Sequence, residues 1–189
     1  MKTIPLLETD EIRLPWIQAG YAVFAQKGPA GLKVESLARK VGKSKSSFYH
    51  HFADLEVFTE QLLACHRVRS RWIAEQERAC RQLVPDLLLL IVTIKEDLLF
   101  NRQLRIHRQV PAFRACFEQV SAEVGDAMLG IWAEALGLSD RTHLAQVVLN
   151  LVIENFYLQI TEETLTYPWL EAYVAQIQHA VQGIQLPRG

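Results

Sequence analysis

The stretch Gly31–Phe58, GLKVESLARKVGKSKSSFYHHFADLEVF, decides the fold. Leu37, Ala38 and Val41 recur three and four apart and stop at Gly42, the residue type that most readily takes the left-handed backbone closing a helix. Ser44 then offers a hydroxyl suited to capping the next helix. Phe48 and Phe52 are four apart and share one face. A helix from Val34 to Val41, a glycine turn and a second helix from Lys45 to about Phe52 make a helix-turn-helix. Val41, Phe48 and Phe52 belong to the inner side of that pair. Lys45, Ser46, Ser47, Tyr49 and His50 are left outside.

The outer side has the chemistry of a polyanion surface. The chain's formal net charge is only −1, yet from Lys33 to Ala53 the bases Lys33, Arg39, Lys40, Lys43 and Lys45 face the single acid Glu35. Lysine and arginine gathered in a short helical segment are the electrostatic footprint of phosphate binding. Small hydroxyl residues let a helix backbone approach a groove, while lysine and tyrosine reach phosphates or base edges. Adjacent His50 and His51 diverge on a helix and have no Cys or His partner at zinc spacing, so no metal and no cofactor are expected. Two further basic runs, Arg67, Arg69, Arg71 and Arg102, Arg105, His107, Arg108, Arg114, read as solvated helix faces.

Outward from this segment the pattern stays helical. No stretch alternates with a period of two between hairpin turns, so the chain is all-α. The expected helices run from Pro15 to about Lys27, from Asp54 as an N-cap through a long segment to a break at Pro85, and from Pro111 to Gly137. Another is capped by Ser139 or Asp140 and runs to about Glu163, and Pro168 opens the last, to about Ile184. Residues 86–100, DLLLLIVTIKEDLLF, are apolar nearly all round and are expected to be buried. An apolar fraction of 50% with 22% charged residues suits a chain that buries a real core. No run approaches the roughly 18 apolar residues of a membrane span. Acids at Glu8, Asp10 and Glu11 interrupt any secretory leader, and the expected location is cytoplasmic. Cys65, Cys80 and Cys116 are odd in number and widely spaced, which suits reduced thiols rather than a disulfide framework.

The whole string of Gly31–Phe58 resembles the DNA-binding domain of the TetR family of bacterial transcriptional regulators. The matching residues are Leu32, Val34, Leu37-Ala38, Gly42-x-Ser44, Phe48-Tyr49-His50-His51-Phe52 and Glu56. The resemblance is strong over residues 13 to 62. It implies an N-terminal three-helix DNA-binding domain, residues 1–60, with a connecting helix beginning at about 54. A helical ligand-binding and dimerisation domain, 61–189, completes the chain. The residues expected to bind DNA are Lys33, Lys43, Ser44, Lys45, Ser46, Ser47, Tyr49, His50 and His51, with Lys33 and Lys43 included because a lysine reaches phosphate and not because the family has one there. Three positions depart from the family pattern: Lys33 where a capping Thr or Ser is usual, Lys43 for an aliphatic residue, and Leu55 for a lysine.

The resemblance further implies a homodimer joined through the two C-terminal helices as a four-helix bundle. LAQVVLNLVIENFYLQI, residues 144–160, has apolar residues on more than one face, as a helix with two neighbours requires. The expected partner is double-stranded DNA, a pseudo-palindromic operator with half-sites about 34–36 Å apart. An unidentified small-molecule effector would bind in the C-terminal domain and release a repressor. Trp72, Phe100, His107, Phe113, Phe117, Trp132, Asn155 and Gln159 are the large or polar residues for such a pocket, with core packing as the alternative. Two rival classes stay open: an all-α carrier or enzyme, and a helix-turn-helix used for protein contact. No glycine-rich phosphate loop, His-x-x-x-His pair or distinct carboxylate pair supports an enzyme.

Overall fold

The computed structural model describes residues 11–184, and every regular element among them is helical. The stretch Met1–Asp10, which holds two of the acids that argue against a leader, lies outside the described residues. The order is α1 (Leu14–Lys27), a 3₁₀ turn (Pro29–Gly31), α2 (Val34–Val41), α3 (Lys45–His51), α4 (Leu55–Ala79) and a turn (Leu83–Leu87) that leads into α5 (Leu88–Thr93). It continues with α6 (Lys95–Ile106), α7 (Pro111–Ala135), α8 (Thr142–Gln159) and α9 (Tyr167–Ile184). Among the described residues no helix is long and apolar enough to cross a membrane. The chain forms two compact units, one running through Ile73 and taking in Glu96–Glu123, the other made of Ala74–Lys95 and the residues from Val124.

In the first unit the aromatic spacing read from the sequence becomes a ring cluster. Phe48, Phe52 and Phe58 are buried, with ring centroids 5.1 Å apart for Phe48–Phe52, 5.3 Å for Phe48–Phe58 and 4.8 Å for Phe52–Phe58. Trp16 of α1 meets Phe48 edge-on at 5.4 Å. Gly20 lets α1 approach this cluster, because a Cβ there would lie 2.4 Å from Cζ of Phe58. Removing a buried Phe ring costs about 3–5 kcal/mol, so the cluster determines how α3 is held.

In the second unit three expectations are corrected. Residues 86–100 are not one helix buried all round: α5 ends at Thr93, Ile94 leaves helical geometry with ψ 21°, and Leu89 is exposed. Thr93 Oγ1 donates to the Leu89 carbonyl at 2.9 Å, a back-bond that bends helices, and Lys95 Nζ donates to the Glu162 carbonyl. Neither Ser139 nor Asp140 caps α8. They form the middle of a turn closed by Arg141 N–H to the Leu138 carbonyl, and α8 starts only at Thr142. That turn comes after the left-handed Gly137, φ 65°, which ends α7 as expected. At its other end α8 stops at Gln159 rather than Glu163, because Thr161 and Thr164 bind each other's backbone: Thr161 N–H donates to Thr164 Oγ1 at 2.7 Å and Thr164 N–H to Thr161 Oγ1 at 3.1 Å.

Candidate nucleic-acid interface

The turn before α3 is built as its residue types require. Gly42 has φ 68° and ψ 33°, and the N–H groups of Gly42 and Lys43 donate to the carbonyls of Arg39 and Ala38, satisfying the last carbonyls of α2. Ser44 Oγ accepts from Ser47 N–H at 3.2 Å and so caps α3. Asp54 Oδ1 accepts from Val57 N–H at 2.8 Å and caps α4. Lys33 precedes α2 without a side-chain cap, as a lysine must.

With Phe48 held in the ring cluster, the opposite face of α3 is presented outward. Ser44, Lys45, Ser46, Tyr49 and His50 are exposed, Tyr49 by 56%, while Ser47 and His51 are half-buried. Lys33 and Lys43 are also exposed. Tyr49 is steadied edge-on against Phe48 at 5.5 Å, which leaves its hydroxyl end in solvent. Lys45 Nζ binds Glu35 Oε1 at 2.5 Å, and the ammonium holds that carboxyl below its usual range. The single acid of the segment is thereby tied to the first residue of α3. Among the described residues no group of three or more His, Cys, Asp and Glu could hold a metal ion.

Behind this surface a buried polar network joins α1, α4 and α6. The Arg69 guanidinium makes two hydrogen bonds to the Asp97 carboxylate, Nε to Oδ1 at 2.5 Å and a terminal nitrogen to Oδ2 at 2.7 Å. Tyr21 donates its hydroxyl to Asp97 Oδ1 at 2.7 Å and lies 2.6 Å from His66 Nδ1. Burial and the Asp97 carboxylate raise the phenol pKa well above its ordinary value, so Tyr21 keeps its proton. That one proton is given to Asp97, which makes His66 Nδ1–H the donor to the phenol oxygen. Burial lowers the His66 pKa to about 4, and the ring is neutral. The Arg69 guanidinium also stands 4.7 Å over the Tyr21 ring.

Sequence reasoning missed this network. It placed Arg69 on a solvated face, whereas Arg69 is 7% exposed and paired with a residue 28 positions away. No spacing signal distinguishes Asp97 from Glu96 beside it.

The residues expected around a pocket fall into different surroundings. In the first unit Phe100 is fully buried, with Tyr21, Phe24 and His66 rings 4.3, 4.3 and 4.5 Å away. Phe113 meets Phe24 edge-on, Phe117 lies beneath Arg105, and half-buried His107 closes on Gly28. Trp72 is half-buried. In the second unit Trp132 is buried, whereas Asn155 and Gln159 are exposed and hydrogen-bonded to each other. Cys65 and Cys116 are buried and Cys80 is half-buried, and none of the three is in a disulfide.

Residues 17–58 match the model of the bacterial regulatory proteins of the tetR family. No curated protein matches the chain. Among solved structures, a protein from Rhodococcus sp. assigned to the TetR-family transcriptional regulators superposes with a TM-score of 0.58 at 20% identity, over 94% of this chain and 100% of that one. The all-α fold and the resemblance read from Gly31–Phe58 are thus borne out.

Proposed function

Because residues 17–58 carry the N-terminal domain of the tetR family of bacterial regulatory proteins, we propose that this chain is a cytoplasmic, sequence-specific DNA-binding transcriptional regulator, a repressor released by a small molecule. One observation carries the reading: the exposed hydroxyl, lysine and tyrosine face of α3, held outward by the burial of Phe48. Tyr49 and Lys45 contact phosphates, with Ser44, Ser46, Ser47, His50 and His51 along the groove and Lys33 and Lys43 at its edges. The functional boundary falls near residue 60, with regulation and dimerisation in residues 61–189.

The dimer is supported by α8. Leu144, Val147 and Leu151 are exposed at 43%, 41% and 67%, and Leu158 at 76%, although Ala145, Leu149 and Tyr157 bury the helix's other side. An apolar stripe of this kind suits a second copy, and two linked half-sites raise the affinity of one short recognition helix. An effector that favours one of two dimer states shifts the DNA-bound population.

The test is a mobility-shift titration against fragments of the chain's own genomic neighbourhood, at two salt concentrations with competitor duplex. Salt-sensitive binding that survives competitor on one fragment is expected. The Tyr49→Phe, Lys45→Ala double substitution should weaken it by about tenfold or more while sedimentation still reports a dimer. Equal weak binding on every fragment, or undiminished binding by the double variant, counts against the assignment.

A further inference from the structure

Glu35, in the first turn of α2, is the single acid between Lys33 and Ala53. Its carboxylate is engaged on the neighbouring helix: Lys45, the first residue of α3 and ten positions on, donates from Nζ to Glu35 Oε1 at 2.5 Å. The two side chains are 56% and 65% exposed, so water and an approaching polyanion both reach the pair. Lys45 therefore stands on the outward face of α3 with its charge already met by an oxyanion.

We propose that Glu35 is an internal stand-in for a DNA phosphate, which holds Lys45 in the free protein, gives it up to the duplex on binding, and so tunes how tightly α3 grips any phosphate backbone. This rests on the reading of α3 as the DNA-binding face and adds a residue that regulates that face.

Exposure is what lets the pair exchange. Parting the buried Arg69–Asp97 pair would strand a charge away from water, whereas Glu35, once released, is hydrated at once. Lys45 meanwhile trades one charge-assisted bond to an oxyanion for another. The carboxyl is ionised near neutral pH, because the Lys45 hydrogen bond, followed by Glu35's own backbone N–H and the lysine's charge, holds it below its usual range. A protein whose binding group is partly engaged elsewhere loses affinity in proportion to the fraction engaged. Exposed ion pairs are weak, so the loss is about two- to fivefold rather than orders of magnitude. Phosphates are alike in every duplex, and the effect falls equally on operator and random DNA without touching base readout.

Fluorescence anisotropy of the full-length protein with a labelled random duplex at low salt provides the test, since it needs no operator. Glu35→Gln is expected to tighten binding about two- to fivefold, with the gain shrinking as added salt screens the pair. Glu35→Asp, which keeps the charge and withdraws it by one methylene, should show most of the same gain. In a Lys45→Ala background, Glu35→Gln should move affinity by less than about 1.5-fold, because the partner is gone. An equal gain with and without Lys45 would make Glu35 a through-space repeller of phosphate and overturn the exchange, as would no gain in Glu35→Gln. The same variants on the genomic fragments separate the two readings. Tightening on random duplex with no fragment preferred over competitor supports the exchange and defeats the sequence-specific regulator. A preferred fragment bound no more tightly by Glu35→Gln does the reverse, and failure to bind any duplex defeats both.

Discussion

Two buried carboxyl groups stand in opposite circumstances. Asp97 of α6, in the first unit, accepts from Arg69 and Tyr21 and is 2% exposed. Glu77 of α4, in the second, is 3% exposed and has an oxygen without a donor. Burial is the same and partnership is not. The contrast separates two circumstances of a buried acid: the paired one fastens three helices together, and the unpaired one is a cost to folding.

The largest effect should come from breaking the pair. Arg69→Met leaves Asp97 buried and uncompensated and should cost about 3–5 kcal/mol in urea denaturation. Adding Asp97→Leu should recover most of that loss, since a buried ion pair replaced on both sides by apolar groups is often neutral. A double variant as unstable as the single would show that the network does more than satisfy its own charges.

At the unpaired carboxyl the sign should reverse. Glu77→Gln should stabilise the protein by roughly 1–3 kcal/mol at pH 8. The folded pKa of about 8 lies above the ordinary 4.5, so the native state keeps a proton that the unfolded chain releases, and stability falls as pH rises from about 4.5 to about 8. The gain from Glu77→Gln should therefore be small at pH 5 and full above pH 8. A gain independent of pH would place the cause elsewhere than in this carboxyl.

The smallest effect concerns His66, which sharpens the description of the paired side. Its folded pKa of about 4 lies below the ordinary 6.5, so the unfolded chain takes up a proton first as the solution is acidified. Stability present above about pH 6.5 should be lost on the way to about pH 4, by about 1 kcal/mol between pH 7 and 5.5. His66→Gln should flatten that slope in thermal melts. Asp97, Arg69 and Tyr21 are the charged and titratable groups facing this ring, with Arg67 a further charge nearby.

How much of this was legible depended on distance along the chain. Helix α2, Gly42, the Ser44 cap and the Phe48–Phe52 face use neighbours within a few residues, so spacing alone placed them. The same locality explains the agreement of α1 and the Asp54 cap. Arg69 and Asp97 are 28 residues apart, and a basic run in a helix has the same pattern whether it meets water or a distant acid. Glu77, in a sequence reading AEQERA, has the look of a solvated turn, and only packing puts it inside. The α5–α6 break escaped because Thr93 is as compatible with a straight helix as with a bent one until its hydroxyl finds the Leu89 carbonyl. Of the candidate site, α3 and its exposed residues were readable, whereas the buried network behind it was not.

The single hydroxyl proton of Tyr21 gives the network a direction. From His66 Nδ1–H through the phenol to Asp97, every donor is assigned, so the imidazole is confined to one tautomer and its two nitrogens should differ sharply in ¹⁵N resonance position. The phenol proton, sealed from water, should exchange slowly enough to give its own signal. That signal would serve as a clock for the three helices: while it persists they have not parted, and its decay times their opening.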